Sequence, residues 1–344
     1  MARKSRRDTP QPGAAPLPVT VTDVAQRAGV SPITVSRAIH RPERVNQATR
    51  VRVLEVVREM GYVPNLLAGS LASSRSRLVA ILLPTLTNSP YSAVIQAATD
   101  RLTEAGYQAL LGPTSYSAEK EGALLEAILG RRPDALVITG RLHNPASRQR
   151  LLGAGVPVVE AWDLSAQPLD IQVGFSHEAA GRHIADHFFA KGVRRVAAVS
   201  VIDARAARRH GSMAARLGEL GAPPVPVEVR PLPASWEVGR AGLAALLARD
   251  PQPPELVMCS SDTVALGVIA EAASRGLRVP QDLRVLGFGD SVNGRFAWPA
   301  LSTVSIHASA MGIEVAEALL RRFHGQPTET HVDTGFTLIE RAST

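Results

Sequence analysis

Cysteine is nearly absent. With Cys259 as the one thiol, no internal disulfide framework can form, and a structural zinc site, which normally draws on at least two cysteines, is set aside as a class. Aromatic residues make up only 4% of the chain, and no apolar run approaches the ~20 residues that a bilayer-spanning helix requires, so a membrane-embedded protein is not expected. The N-terminal stretch 1–18 is basic and rich in Pro and Ala, but lacks the apolar centre of a secretory signal, which points to a cytoplasmic chain. No GxGxxG and no phosphate loop opens any helix, so neither a dinucleotide nor ATP is expected, and no cofactor of any kind. Nor is there a GxSxG elbow or a base at useful spacing from Cys259, which reads as a buried strand residue, and the chain is not expected to be an enzyme.

Net charge is missing from most of the chain as well. Residues 1–75 hold twelve Lys and Arg against five acids, a surplus equal to the whole net charge of +7, while the rest carries 26 of each sign. A small basic module at one end points to a polyanion partner, because neutralising phosphates releases their counterions. A solubility tail would account for Arg3, Lys4, Arg6 and Arg7, but not for the arginines that follow.

That module reads as three short helices. Thr20 and Asp23 make a capping-box-like start, Val21, Val24, Ala25 and Ala28 fall on one face, and Gly29 stops the helix. Ser31 caps a second helix with Pro32 at its first position and Val35, Ala38 and Ile39 facing inward. A third runs from an Asn46 cap through Val51, Leu54, Val57 and Met60 to Gly61. Two helices joined by a tight Gly turn, closed by a third, form a helix-turn-helix head.

From Leu78 onward, short β-branched runs at 78–83, 107–111, 135–139, 156–160, 195–200, 256–260 and 284–288 alternate with helical patterns at 91–105, 118–129, 178–190, 236–248 and 264–275. Such alternation predicts an α/β core of parallel sheets covered on both faces, with ligands at the carboxyl ends of strands. His183 and His187, four apart on a helix, have metal-ligand spacing, but no third ligand is convincingly placed, and they read as ordinary histidines.

The string Val21-Thr-Asp-Val-Ala-Gln-Arg-Ala-Gly-Val-Ser-Pro-Ile-Thr-Val-Ser-Arg37, then Arg50, then Gly61-Tyr-Val-Pro-Asn65, resembles the DNA-binding headpiece of the LacI/GalR family of bacterial repressors. The core carries the resemblance onward through 81–91, Val156-Pro-Val-Val159, Asp262-Thr-Val-Ala-Leu-Gly267 and Val285-Leu-Gly-Phe288, nearly to the end of the chain. It implies a basic disordered tail at 1–18, a headpiece at 19–62, a hinge helix at 63–77, and a two-lobed periplasmic-binding-protein-like core at 78–344 with crossings near Gly174, Ser305 and Asp333. The implied partners are double-stranded operator DNA, a second copy of the chain and a small-molecule effector, with no membrane.

By family position, Pro32, Ile33 and Arg37 would meet base edges, Arg37 suiting guanine and Ile33 a thymine methyl. Thr20, Ser31, Thr34 and Ser36 would contact phosphates, although capping explains those hydroxyls equally well. Asn65, Ala68 and Leu71 belong to the implied hinge helix, with Leu71 matching the leucine that wedges into a minor-groove step. Pro32 and Ile33 depart from the polar pair of the lactose repressor, which leaves the operator sequence open.

Several words look closest to the gluconate operon repressors: Leu83-Pro-Thr-Leu-Thr-Asn88, Val156-Pro-Val-Val-Glu-Ala-Trp-Asp163, Asp170-Ile-Gln-Val-Gly-Phe175 and Gly335-Phe-Thr-Leu338. The implied cleft residues are Asn88, Tyr91, Arg141, His143, Glu160, Asp163, Arg208, Trp236, Ser261 and Asp262. Arg141 and Arg208 offer forks to a carboxylate, Trp236 an aromatic face for a polyol, and Gly289 stands where lactose-type relatives have a sugar-gripping aspartate. The expected effector is therefore a sugar acid such as gluconate, which releases the operator. A regulator answering a neutral sugar, a transport-type sugar binder with a basic tail, and a sugar kinase are the alternatives; the kinase lacks its phosphate loop, and the binder lacks both its signal and any reason for the 21–37 string.

Overall fold

The computed structural model describes residues 19–63, 75–86, 89–140, 142 and 144–344, in two compact units that divide between Ser74 and Arg75. The tail 1–18, the hinge positions Asn65, Ala68 and Leu71, and the cleft candidates Asn88, Arg141 and His143 lie outside the described residues.

In the first unit α1 (Val21–Ala28), α2 (Pro32–His40) and α3 (Gln47–Glu59) close on Val24, Val35 and Val53, each fully buried. The start of α1 is a true capping box: Thr20 N–H donates to Asp23 Oδ2 at 2.8 Å and Asp23 N–H to Thr20 Oγ1 at 3.3 Å. Gly29 takes the left-handed conformation (φ 65°) that lets the chain turn sharply into the Ser31 cap of α2. Asn46 Oδ1 caps α3 through Ala48 N–H at 2.9 Å.

The second unit has two lobes. In the first, six parallel strands lie in the order β11-β5-β4-β3-β1-β2, with β1 (Leu78–Leu83), β2 (Gln108–Pro113), β3 (Ala135–Thr139), β4 (Val158–Ala161), β5 (Ile171–Gly174) and β11 (His331–Asp333). Helices α4 (Ser89–Glu104), α5 (Ala118–Leu129), α6 (Pro145–Ala154) and α12 (Ala308–Phe323) accompany it. In the second lobe β7 (Val227–Arg230), β6 (Val196–Val201), β8 (Leu256–Cys259) and β9 (Arg284–Leu286) form a parallel sheet, with α7 (His177–Ala190), α8 (Ala204–Glu219), α9 (Trp236–Arg249), α10 (Asp262–Ser274) and the short α11 (Val292–Arg295). An antiparallel pair, β10 (Thr303–Ser305) with β12 (Thr337–Ile339), completes it. All five residues of β3 and all six of β6 are buried, as strands covered on both faces require. The lobes connect where β5 ends at Gly174, β10 at Ser305 and β11 at Asp333.

Two glycines fix how α9 crosses α10. A Cβ on Gly239 would stand 2.0 Å from the Val264 carbonyl oxygen, and one on Gly267 would stand 2.1 Å from the Trp236 carbonyl oxygen, so only bare backbone permits this approach. The crossing also anchors the backbone of Trp236.

Candidate DNA-reading face and effector cleft

Helix α2 divides its residues between core and solvent. Val35 and Ala38 are buried, while Ser31, Pro32, Ile33, Ser36 and Arg37 are exposed together. Ile33 leaves 63% of its surface in water, an apolar side chain with nothing of this unit to cover it. Thr34 is half-buried and tied to Ser31: its N–H donates to Ser31 Oγ at 3.2 Å, and the two hydroxyls lie 2.9 Å apart. Thr20 is exposed but occupied by its capping box. Thr20→Ala is expected to lower the head's stability by about 1 kcal/mol, checked by thermal unfolding; no change would leave Thr20 Oγ1 without a capping role.

In the core unit, the cleft between the lobes is built around α8. Asp203 caps that helix, accepting from Arg205 N–H and Ala206 N–H at 2.9 Å each, and the next turn places Arg205, Arg208 and Arg209 on one face by their three- and four-residue spacing. Arg205 donates to Asp203 Oδ2 at 3.0 Å and, across the cleft, to the Tyr91 hydroxyl. Arg208 pairs with Asp163 of the first lobe and with Glu178 at 3.2 Å. Arg209, 3% exposed, donates to His177 Nδ1 at 3.0 Å and to the Ser260 carbonyl at 2.9 Å, and its guanidinium lies 3.6 Å over the Phe288 ring. Since a guanidinium cannot accept, His177 Nδ1 must, and His177 Nε2–H then donates to the Trp162 carbonyl at 3.2 Å.

Electrostatics follow from this packing. Burial opposes the Asp203 carboxylate, but Arg205 and the Ala206 N–H outweigh it and hold its carboxyl far below the usual carboxylate range. Burial pushes the Tyr91 and Tyr116 phenols up, so both are neutral donors. Burial, reinforced by Arg209, pushes His177 down to about 2. Burial also lowers Arg209, to about 10, which still leaves it charged at neutral pH.

Two adjoining spaces result. An outer chamber of about 300 Å³, at the lower end of the ~300–1,000 Å³ typical of small-molecule sites, is lined at the strand ends by Leu83, Thr114, Thr139 and Gly140, and by Glu121, Asp163, Arg205 and Arg208. An inner chamber of about 50 Å³ is lined by Tyr91, Trp162 and Phe288, and by Arg209, Ser260 and Ser261; Tyr116, Asp203 and Arg205 belong to both.

The structure thus brings together Tyr91, Asp163, Arg208 and Ser261 from the expected set, although Ser261 also caps α10 through Val264 N–H at 3.4 Å. Three expected residues lie elsewhere. Trp236 is 52% exposed at the first turn of α9 and lines a different surface with Glu237 and Arg240; the loop before it sends Leu232 and Ala234 to the cleft instead. Glu160, buried in β4, accepts from Leu169 N–H at 2.7 Å. Asp262 accepts from Ser291 N–H at 2.5 Å and Thr303 Oγ1 at 2.6 Å, bracing its own lobe. Beside Gly289, Asp290 is engaged by Arg341 at 2.6 Å and Arg295 at 3.1 Å. Cys259 is fully buried in β8. Sequence reasoning missed Asp203, Arg205, Arg209, Tyr116 and Trp162; the signal for the arginines was an Asp cap followed by Arg205, with Arg208 and Arg209 three and four residues beyond it.

Two family descriptions match the chain: bacterial regulatory proteins of the lacI family over residues 20–65, and a periplasmic binding protein-like domain over 185–344. The HTH-type transcriptional regulator GntR of Pseudomonas aeruginosa is 34% identical over 328 residues, covering 94% of this chain and 95% of that protein. Among solved structures, a LacI-family transcriptional regulator from Silicibacter pomeroyi superposes with a TM-score of 0.88 at 32% identity, covering 95% of this chain and 99% of the other. The lac repressor dimer bound to operator and the anti-inducer ONPF superposes with a TM-score of 0.82 at 25% identity, over 95% of this chain and 99% of that one. The chain therefore belongs to the LacI family of bacterial regulatory proteins, and is a DNA-binding transcriptional regulator rather than an enzyme.

Proposed function

We propose that this regulator is a homodimeric repressor whose hold on its operator is loosened by a small sugar acid, gluconate or a close relative. The observation that carries the effector class is the guanidinium face of α8: Arg205, Arg208 and Arg209 meet in the cleft, where among the described residues Asp203 and Asp163 are their buried carboxylate partners. Arg205 and Arg208 are met by Asp203, Asp163 and Glu178, whereas the contacts of Arg209 include no carboxylate, and that guanidinium favours an anion. Thr114, Thr139 and the carboxylates of the outer chamber suit a row of hydroxyls, and Gly289 adds no negative charge at the position where lactose-type relatives carry one.

For DNA, the exposed surface of Pro32, Ile33, Ser36 and Arg37 is the reading face, with Thr20 and Ser31 near phosphates and the hinge residues Asn65, Ala68 and Leu71 following. The likeness to a repressor dimer solved on its operator supports pairing of two chains on one duplex. Ligand closure of the lobes would disfavour the operator-bound arrangement, with a coupling of about 1–3 kcal/mol per site.

Calorimetric titration with gluconate and with glucose tests the effector. Gluconate is expected to bind, glucose is not, and Arg205→Gln should weaken gluconate by at least about tenfold. Equal binding of both sugars would favour the neutral-sugar alternative.

A further inference from the structure

Arg209 poses a charge problem that the rest of the cleft does not solve. Buried ions in proteins are paired, and Arg205 and Arg208 each have a carboxylate, but the contacts of Arg209 are a neutral imidazole, a peptide carbonyl and an aromatic face. Three buried polar atoms without a partner belong to residues lining the inner chamber: Arg209 Nε, Ser260 Oγ and Arg205 Nη1, the last on the outer-chamber side beside Gly140. Arg209 and Ser260 are 3% and 7% exposed, so water does not reach them freely. With Asp203 ionised against Arg205, and His177, Tyr91 and Tyr116 neutral, the chamber carries one uncompensated positive charge.

We infer that the inner chamber is a carboxylate-binding hole, in which Arg209, Arg205 and Ser260 take the acid end of the effector while its hydroxylated chain extends into the outer chamber. This rests on the sugar-acid reading and adds an orientation to it. A space of about 50 Å³ exceeds the ~10–15 Å³ needed for a single water but leaves no place for a sugar ring, so the head group enters alone. The carboxylate supplies the charge that Arg209 lacks and accepts from donors already aimed by their other bonds: His177 and the Ser260 carbonyl hold two corners of the Arg209 guanidinium, and Tyr91 and Asp203 hold Arg205. Arg208, committed to Asp163 and Glu178, is left to the hydroxyl chain.

Thermal unfolding of the full chain in chloride-free buffer, titrated with sodium glycolate, gluconate or chloride at constant ionic strength, tests this. Glycolate, which is little more than the head group, and gluconate are expected to raise the midpoint saturably, whereas chloride is not. Arg209→Met should abolish both shifts, and Arg209→Lys, which keeps the charge but loses the fork, should weaken gluconate at least about tenfold. The lysine variant decides if the methionine variant does not fold. If glycolate shifts the midpoint and gluconate does not, the hole stands and the gluconate reading falls. Gluconate binding unchanged in the Arg209 variants keeps that reading and overturns the hole, as does an equal response to chloride or no response to any carboxylate.

Discussion

Arg37→Ala is expected to weaken operator binding by about 5- to 150-fold, the equivalent of ~1–3 kcal/mol for one bidentate base contact, and to relax preference at one base pair in each half-site. The side chain is exposed beside Ile33 on the face of α2 opposite Val35 and Ala38, so its removal leaves the head's core untouched. Competition between a duplex selected from a random library and an unrelated duplex separates the roles. Loss confined to the selected duplex marks a base contact; equal loss on both would make Arg37 a phosphate contact instead.

Acid should strip stability from the core unit steeply. His177 and His210 are pushed down by burial and by Arg209, to about 2 and about 3, and both ring nitrogens of His210 lack a partner. In the unfolded chain both titrate near 6.5, so between that value and about 3 the unfolded state holds more protons, and stability falls as pH falls. Each histidine removes up to ~1.4 kcal/mol per pH unit, about 5 kcal/mol for the pair by pH 4.5, comparable with the whole stability of many domains. Urea unfolding from pH 7.5 to 4.5 measures this. His210→Leu should flatten the slope by one proton while leaving neutral stability intact; an unchanged slope would mean that His210 is protonated in the native state.

Much of this architecture was legible. The ranges 78–83, 135–139 and 118–129 coincide with β1, β3 and α5, because short uninterrupted runs of almost wholly apolar residues mark strands buried on both faces, and the stretch after Ser117 has helical amphipathicity. Helix α8 was not legible. Ala206, Met213 and Leu217 keep helical spacing, but Arg209 and His210 fill the buried positions between them, so few apolar residues mark the inward face and the stretch reads as basic surface. That one omission hid most of the cleft chemistry, since polar residues inside a fold are the ones pattern reading assigns to the surface. Trp236 failed for a different reason: its position in the chain suggested the cleft, but the Gly239–Gly267 helix crossing holds its backbone elsewhere. Asp262 and Glu160 are acids whose backbone and hydroxyl donors become visible only once distant strands are placed.

The direct test of the account is fluorescence anisotropy of a labelled operator duplex, selected by the full chain itself, as gluconate is titrated into the preformed complex. Release that saturates with gluconate, is absent with glucose, and is lost in Arg209→Met while operator affinity without ligand is retained, is the predicted result. An operator complex indifferent to gluconate and every other sugar acid up to millimolar concentration would contradict it.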